Sequence, residues 1–174
     1  MSFINHFSGE DNGLYGPMSE KEKQTDSRHD TWAHINTVQT LLVAIISKLH
    51  NRALKHDQSK LQSPEVELFD ELTPRLQTLT YGSDEYKESL DRLKPALIHH
   101  YAKNTHHPEH YEDGVNDMDL IDIMEMLADW KAATMRHDDG NIMKSLKINI
   151  ERFRIDAQLA RILENTIARL GWHE

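Results

Sequence analysis

The chain has no cysteine. Disulfides and thiolate metal sites are therefore excluded, and any metal must take imidazole and carboxylate ligands, which suits Mn, Fe, Co, Ni, Zn or Mg. Glycine and proline are scarce, 7 and 5 of 174 residues, and such a composition favours helices. Long apolar runs are also lacking. The longest, Leu41 to Ile46, is far too short to span a membrane, and the first residues show no basic stretch followed by an apolar one. The cytoplasm is the expected compartment, with no membrane partner. Basic residues are outnumbered, 20 Lys and Arg against 29 Asp and Glu, for a net charge of -9. A protein that tracks nucleic-acid phosphates would be basic, so no long nucleic acid is expected as a partner. A small phosphorylated ligand stays open, because a metal and two or three local cations can hold it.

The length suits one domain with a real core. Residues 1–27 read as a loosely ordered arm, since Gly9, Gly13, Gly16 and Pro17 break any period and residues 19–26 are nearly all polar. Phe3, Ile4, Phe7, Leu14 and Tyr15 could dock that arm on the body or on a neighbouring subunit, which leaves a homo-oligomer open. Residues 28–174 read as a compact all-α domain, a bundle of six or seven helices. From Asp30, Ile35, Val38, Leu42, Ile45 and Leu49 recur at spacings of three and four, and His34 shares a face with Val38, Leu41 and Ile45. Ser63-Pro64-Glu65 is a helix start with Ser at the cap, and Pro74 is expected to end that helix. Ser83 caps the next helix, which aligns Tyr86, Leu90, Leu93, Leu97 and His100 and which Pro95 should kink or break. Asn116 or Asp117 caps another, through Ile121, Met124 and Leu127 to about Arg136. Two more amphipathic segments follow, with Ile142, Leu146, Ile150 and Phe153 on one and Leu159 to Leu170 on the other. Met118, Met124, Met126, Met135 and Met143 are read as core filler, and Asp119, Asp122 and Glu125 as a solvated acidic face.

Histidine is what the chain has in abundance. Five of its 12 histidines fall in His99-His100-Tyr101-Ala102-Lys103-Asn104-Thr105-His106-His107-Pro108-Glu109-His110. Histidine is the commonest metal ligand and the usual proton carrier near neutral pH. Carboxylate partners are offered by His56-Asp57-Gln58-Ser59-Lys60 and by Asp129 in Leu127-Ala128-Asp129-Trp130. Adjacent residues on a helix point about 100° apart, so His56 and Asp57 can reach one ion only at a helix end or junction. His100 continues an apolar face and points inward more readily than His99. Asp129 lies on a face with Asp122 and near Glu125, either of which could hold a ligand histidine from behind. His29, His137 and His173 read as surface residues.

These motifs resemble two groups of proteins. The match to His34-Ile35, His56-Asp57-Gln58-Ser59-Lys60, Tyr81-Gly82-Ser83, His99-His100, the 104–110 loop and Glu125 to Trp130 is similar to a family of uncharacterised phage and bacterial proteins, over about residues 30–136. The His-Asp pair with Lys60, the double histidine and the Asp129 helix also resemble the HD-domain superfamily of helical metal-dependent phosphohydrolases. The HD resemblance implies an HD-like fold and one or two divalent ions. His34, His56, Asp57 and Asp129 would hold one ion. Asp57 would bridge to a second, held by His100 with His99 or a loop histidine beside it. Lys60 would neutralise phosphate charge, and His106 or His107 would move the proton. His34 precedes His56 by 22 residues with no Gly or Pro between. A continuous helix would separate them by about 33 Å. So either the chain turns back near Ile45 to Asn51, or His34 serves another site.

The expected function is metal-dependent hydrolysis of a small phosphorylated metabolite, a nucleotide foremost, in a bacterial cell or phage-infected host. Two alternatives stand beside it. One is a di-iron oxygenase on the same ligand pattern. The other is a non-catalytic phage factor that binds a host component.

Overall fold

The computed structural model describes residues 27–79, 83–136 and 140–172. Among them are six α-helices and no strand, so the chain is all-α. The chain divides into two compact units, Met1–Ile45 and Ile46–Glu174, with the boundary inside the first helix. The arm expected over residues 1–27 lies outside the described residues, apart from Ser27.

Helix α1 spans Arg28–Lys55 without a break. Its central run contains no glycine or proline, and nothing local stops it. The turn back near Ile45 to Asn51 is therefore absent, and His34 is exposed rather than beside a core. In the first unit Thr31, Thr37 and Thr40 donate their hydroxyls to carbonyls four residues earlier, at 2.8–2.9 Å. Trp32, Leu41, Leu42 and Val43 are exposed there.

The second unit holds α2 (Glu65–Thr78), α3 (Asp84–Lys103), α4 (Leu120–Thr134), α5 (Ile142–Phe153) and α6 (Ala157–Arg169), with short 3-10 turns at Gln58–Leu61, Pro108–His110 and Gly114–Asp117. Two apolar clusters hold it together. Leu72, Leu93 and Ala96 join α2 to α3, flanked by Leu68, Phe69, Leu76 and Leu97. A larger cluster of Met126 and Leu127 on α4, Ile142 and Leu146 on α5 and Leu163 and Ile167 on α6 takes in Val115 and Met118.

Several local expectations are corrected by packing. Helix α2 runs through Pro74 to Thr78, and α3 runs through Pro95. A proline costs its own helix bond and crowds the preceding turn, but Leu72, Leu76, Leu93 and Ala96 bury on either side and hold both helices. Ser63 does not cap α2: Pro64 occupies that position and no side chain bonds there. The buried line of α3 is Ser89, Leu93, Ala96 and His100, shifted from the expected one, while Leu90 is exposed. Ser89 buries because its hydroxyl donates to the Glu85 carbonyl at 2.8 Å. Asp119, not Asn116 or Asp117, caps α4, in a reciprocal arrangement with Asp122. Only Met118 and Met126 of the five expected core methionines are buried; Met124, Met135 and Met143 are exposed.

Candidate metal centre

The site begins where α1 ends. Asp57 adopts the left-handed region, φ 55° and ψ 15°, an uncommon conformation for a residue with a side chain. Aspartate tolerates it better than most. This kink undoes the divergence of adjacent helical side chains, so His56 and Asp57 face one place. Residues after the kink wind into the Gln58–Leu61 turn, whose Lys60 returns to Asp57 Oδ2 at 2.6 Å.

The other candidate ligands come from three segments. His100 is the inward residue at the end of α3, and is buried. His106 and His107 lie in the loop that follows, with His106 almost fully buried. Asp129 stands on α4, one turn after Glu125. Two groups result, each with donor atoms within 4.8 Å of one another: Asp57, His100, His106 and His107, and His56, Asp57 and Asp129. Asp57 is common to both, one oxygen for each. Its Oδ1 is 3.3 Å from His100 Nε2 and 3.4 Å from His106 Nε2, and its Oδ2 is 3.6 Å from His56 Nε2. His56 Nε2 is also 3.6 Å from Asp129 Oδ1.

These spacings are informative. Two ligands at about 2.1 Å from a tetrahedral cation are themselves about 3.4 Å apart. The same spacing is too long for a good hydrogen bond. Correspondingly, Asp57 Oδ1 and His106 Nε2 are buried without any hydrogen-bond partner. An unsatisfied buried donor or acceptor is costly, and a shared cation between the two atoms would satisfy both. The residues present thus fit a divalent ion.

The imidazoles are oriented from behind by carboxylates. Glu125 Oε1 lies 2.9 Å from His56 Nδ1 and 3.2 Å from His106 Nδ1. Glu65, fully buried, places one oxygen 2.9 Å from His100 Nδ1 and the other 2.7 Å from His99 Nδ1. In each case Nδ1 donates to the carboxylate; for His56, His100 and His106 this leaves Nε2 to face Asp57, the arrangement that fixes tautomer and ring angle in metal sites. A third cluster of possible ligands, His56, His106 and Glu125, is accounted for by these bonds. Glu125 is in turn gripped by the Arg52 guanidinium, which also reaches Asp122 at 2.8 Å and Thr105 at 2.6 Å. Tyr111 and Thr105 donate to Asp122 at 2.6 and 2.5 Å.

The electrostatics follow from this crowding. Burial alone would raise Asp57, but His100, His106 and Lys60 hold it well below the usual carboxylate range. Bonds to Asp129 and Glu125, against burial, push the His56 imidazole up to about 10. Burial and the neighbouring His106 and His100 push His107 down to about 3. His107 is therefore neutral at pH 7, as its 2.9 Å approach to His100 Nε2 requires.

Of the residues singled out in the sequence, His56, Asp57, His100 and Asp129 come together. His106 and His107, expected to carry a proton or to stand beside His100, lie with Asp57 and His100 in a group that could hold an ion. His34 joins neither group, being exposed on α1 in the first unit. His99 is turned away to Glu65, and His110 donates from Nδ1 to the Tyr101 carbonyl at 2.7 Å. The acidic face expected on α4 divides: Asp119 is exposed, while Asp122 is buried and Glu125 half-buried, both against Arg52. Glu65, Arg52, Thr105 and Tyr111 carried no recognisable signal. The i, i+4 pairs Arg52–His56 and Glu125–Asp129 were the nearest thing to one.

A model for a family of unknown function, DUF5662, matches residues 23–169. The chain belongs to this family. The match spans every element that supplies the DUF5662 chain's two ligand groups, from His56 to Asp129. No curated protein and no solved structure matches it.

Proposed function

We propose that the protein is a metal-dependent phosphohydrolase of the HD type, acting on a small phosphorylated metabolite. One observation carries the reading: Asp57 offers each of its oxygens to a different set of imidazoles, at ligand spacing, with Asp57 Oδ1 and His106 Nε2 otherwise unpartnered. Asp57, His100, His106 and His107 hold one divalent ion, and His56, Asp57 and Asp129 hold another. A bound cation of this kind supplies Lewis acidity toward a phosphoryl oxygen and acidifies water near neutral pH. The chain's own part is positioning. Glu125 and Glu65 keep three imidazoles aimed inward. The Lys60 ammonium, on Asp57 Oδ2 and 5.6 Å from the Phe69 ring centre, would supply positive charge to a phosphoryl group bound beside Asp57. The acidic net charge suits a compact anion met at such a centre better than a polymer.

The test is a screen of nucleoside mono-, di- and triphosphates, cyclic dinucleotides and simple alkyl and aryl phosphates with Mn, Fe, Co, Ni and Mg, alongside metal analysis. Wild type retains metal and releases phosphate from at least one substrate, and Asp57→Asn does neither. Equal turnover by the two proteins would sink the reading. A second reading, C–H oxidation at a di-iron pair, is favoured by one feature: a cleft with almost wholly apolar walls opens beside His56 and Asp129. An iron-loaded protein that consumes oxygen with an alkyl substrate and hydrolyses no phosphoester would establish it.

A further inference from the structure

The cleft of about 530 Å³ beside the centre has a distinct make-up. On α4, Met124, Ala128 and Ala132 form a stripe one residue over from the Glu125–Asp129 line. On α1, Ala53 lies one residue after Arg52 on the facing wall. The alanines leave the room, since each projects only a methyl group. The third wall comes from the chain end. Gly171, with φ 67°, ends the last helix, the Trp172 amide donates to the Ile167 carbonyl at 3.1 Å, and Lys131 Nζ binds the Trp172 carbonyl at 2.9 Å. That fixes the Trp172 indole against the cleft. Four polar residues touch it. Arg52 and Glu125 are committed to each other and to Asp122 and the histidines. The other two, His56 and Asp129, are candidate ligands of one ion.

We infer that this cleft receives an apolar or aromatic body of the substrate, joined directly to the group that reacts at His56 and Asp129. The inference rests on the phosphohydrolase reading for what the reacting group is, and it narrows the substrate to a phosphoester of an apolar alcohol or phenol. Cavities of this size are typical of small-ligand sites. A hydroxyl-rich body such as ribose would lose water here without gaining partners, and an unpaired polar group is rejected far more strongly than a missing methylene. The cleft thus favours an apolar ester over a nucleotide.

The test compares 1-naphthyl phosphate with glycerol phosphate on the metal-loaded full-length protein, wild type and Ala128→Met. Wild type should prefer the naphthyl ester in kcat/KM by at least about tenfold, and Ala128→Met should reduce that preference about tenfold or more. Binding is read separately: 1-naphthol should shift the Trp172 indole N–H resonance, assigned with Trp172→Phe, in wild type and not in Ala128→Met. Naphthol binding without hydrolysis of either ester would leave the cleft standing and remove the phosphohydrolase reading. Hydrolysis without preference, or no movement of the Trp172 signal, would overturn the cleft assignment. So would a change of oligomeric state in Ala128→Met with the ester preference intact, since a second copy would then occupy the cleft.

Discussion

Asp57 carries the heaviest load of any residue. It is the shared member of both ligand groups, and its left-handed backbone makes the His-Asp pair converge. Asp57→Asn and Asp57→Ala should both abolish metal retention, measured by elemental analysis after gel filtration. They should differ in stability, because alanine takes the left-handed conformation less readily by about 1 kcal/mol. Equal denaturation midpoints would argue that the backbone relaxes there. Glu125 touches no ion in this scheme, yet it holds two imidazoles. Glu125→Gln should weaken metal binding by about 10- to 100-fold in a competition with a chelating dye. Undiminished affinity would reduce Glu125 to a partner of Arg52. His100 was legible in the sequence because residue type and helix face sufficed, and the His-Asp pair because with Lys60 it forms a recognisable motif. Glu65 was not, since its contact with His99 and His100 exists only once α2 lies along α3.

Among the elements, α4 joins core, anchor and centre. Met126 and Leu127 bury on one side while Asp122, Glu125 and Asp129, spaced by three and four, line another. Asp122 is the anchor, accepting from Thr105 and Tyr111 and pairing with Arg52. Burial raises its pKa, but these partners outweigh burial and hold it below the ordinary carboxylate value. The unfolded chain therefore takes up the proton first as pH falls. Stability from Asp122 is complete above the ordinary value near 3.9 and is lost as pH drops through the lower folded value. Asp122→Asn should cost about 2–3 kcal/mol at pH 7 and flatten the acid limb of a urea-midpoint profile. A variant whose acid limb matches wild type would show that other carboxylates dominate. The acidic pattern of α4 was plain in the sequence and its burial was not, because a solvated face and an ion-paired one have the same spacing.

For the second unit as a whole, the centre is also a fastener. Its candidate ligands come from the end of α1, from the end of α3 with the loop that follows it, and from α4, so a cation would tie three stretches that are far apart in the chain. A ligand that binds only the folded state at 100 times its Kd adds about 2.7 kcal/mol. A domain of this size gains about 2–4 °C in Tm per kcal/mol. Saturating Mn or Zn should thus raise Tm by about 5–10 °C over chelator-treated protein, by calorimetry, with no rise in Asp57→Asn. An equal rise in that variant would place the ion elsewhere.

The sequence alone determined the helical class and the absence of thiolate ligands, since composition and local periodicity suffice for these, and its motifs pointed to most of the candidate ligands. Only the tertiary structure decided which histidines gather around Asp57. His34 depended on whether α1 turns back, and a run without breakers does not turn. His99 and His110 were claimed by Glu65 and by a backbone carbonyl, while His106 and His107 came in beside Asp57. Helix ends and loop histidines are set by contacts between segments remote in sequence, and no local pattern encodes those. The cleft beside Asp129 is of the same kind, for its three alanines leave a space only where a facing helix and Trp172 enclose it.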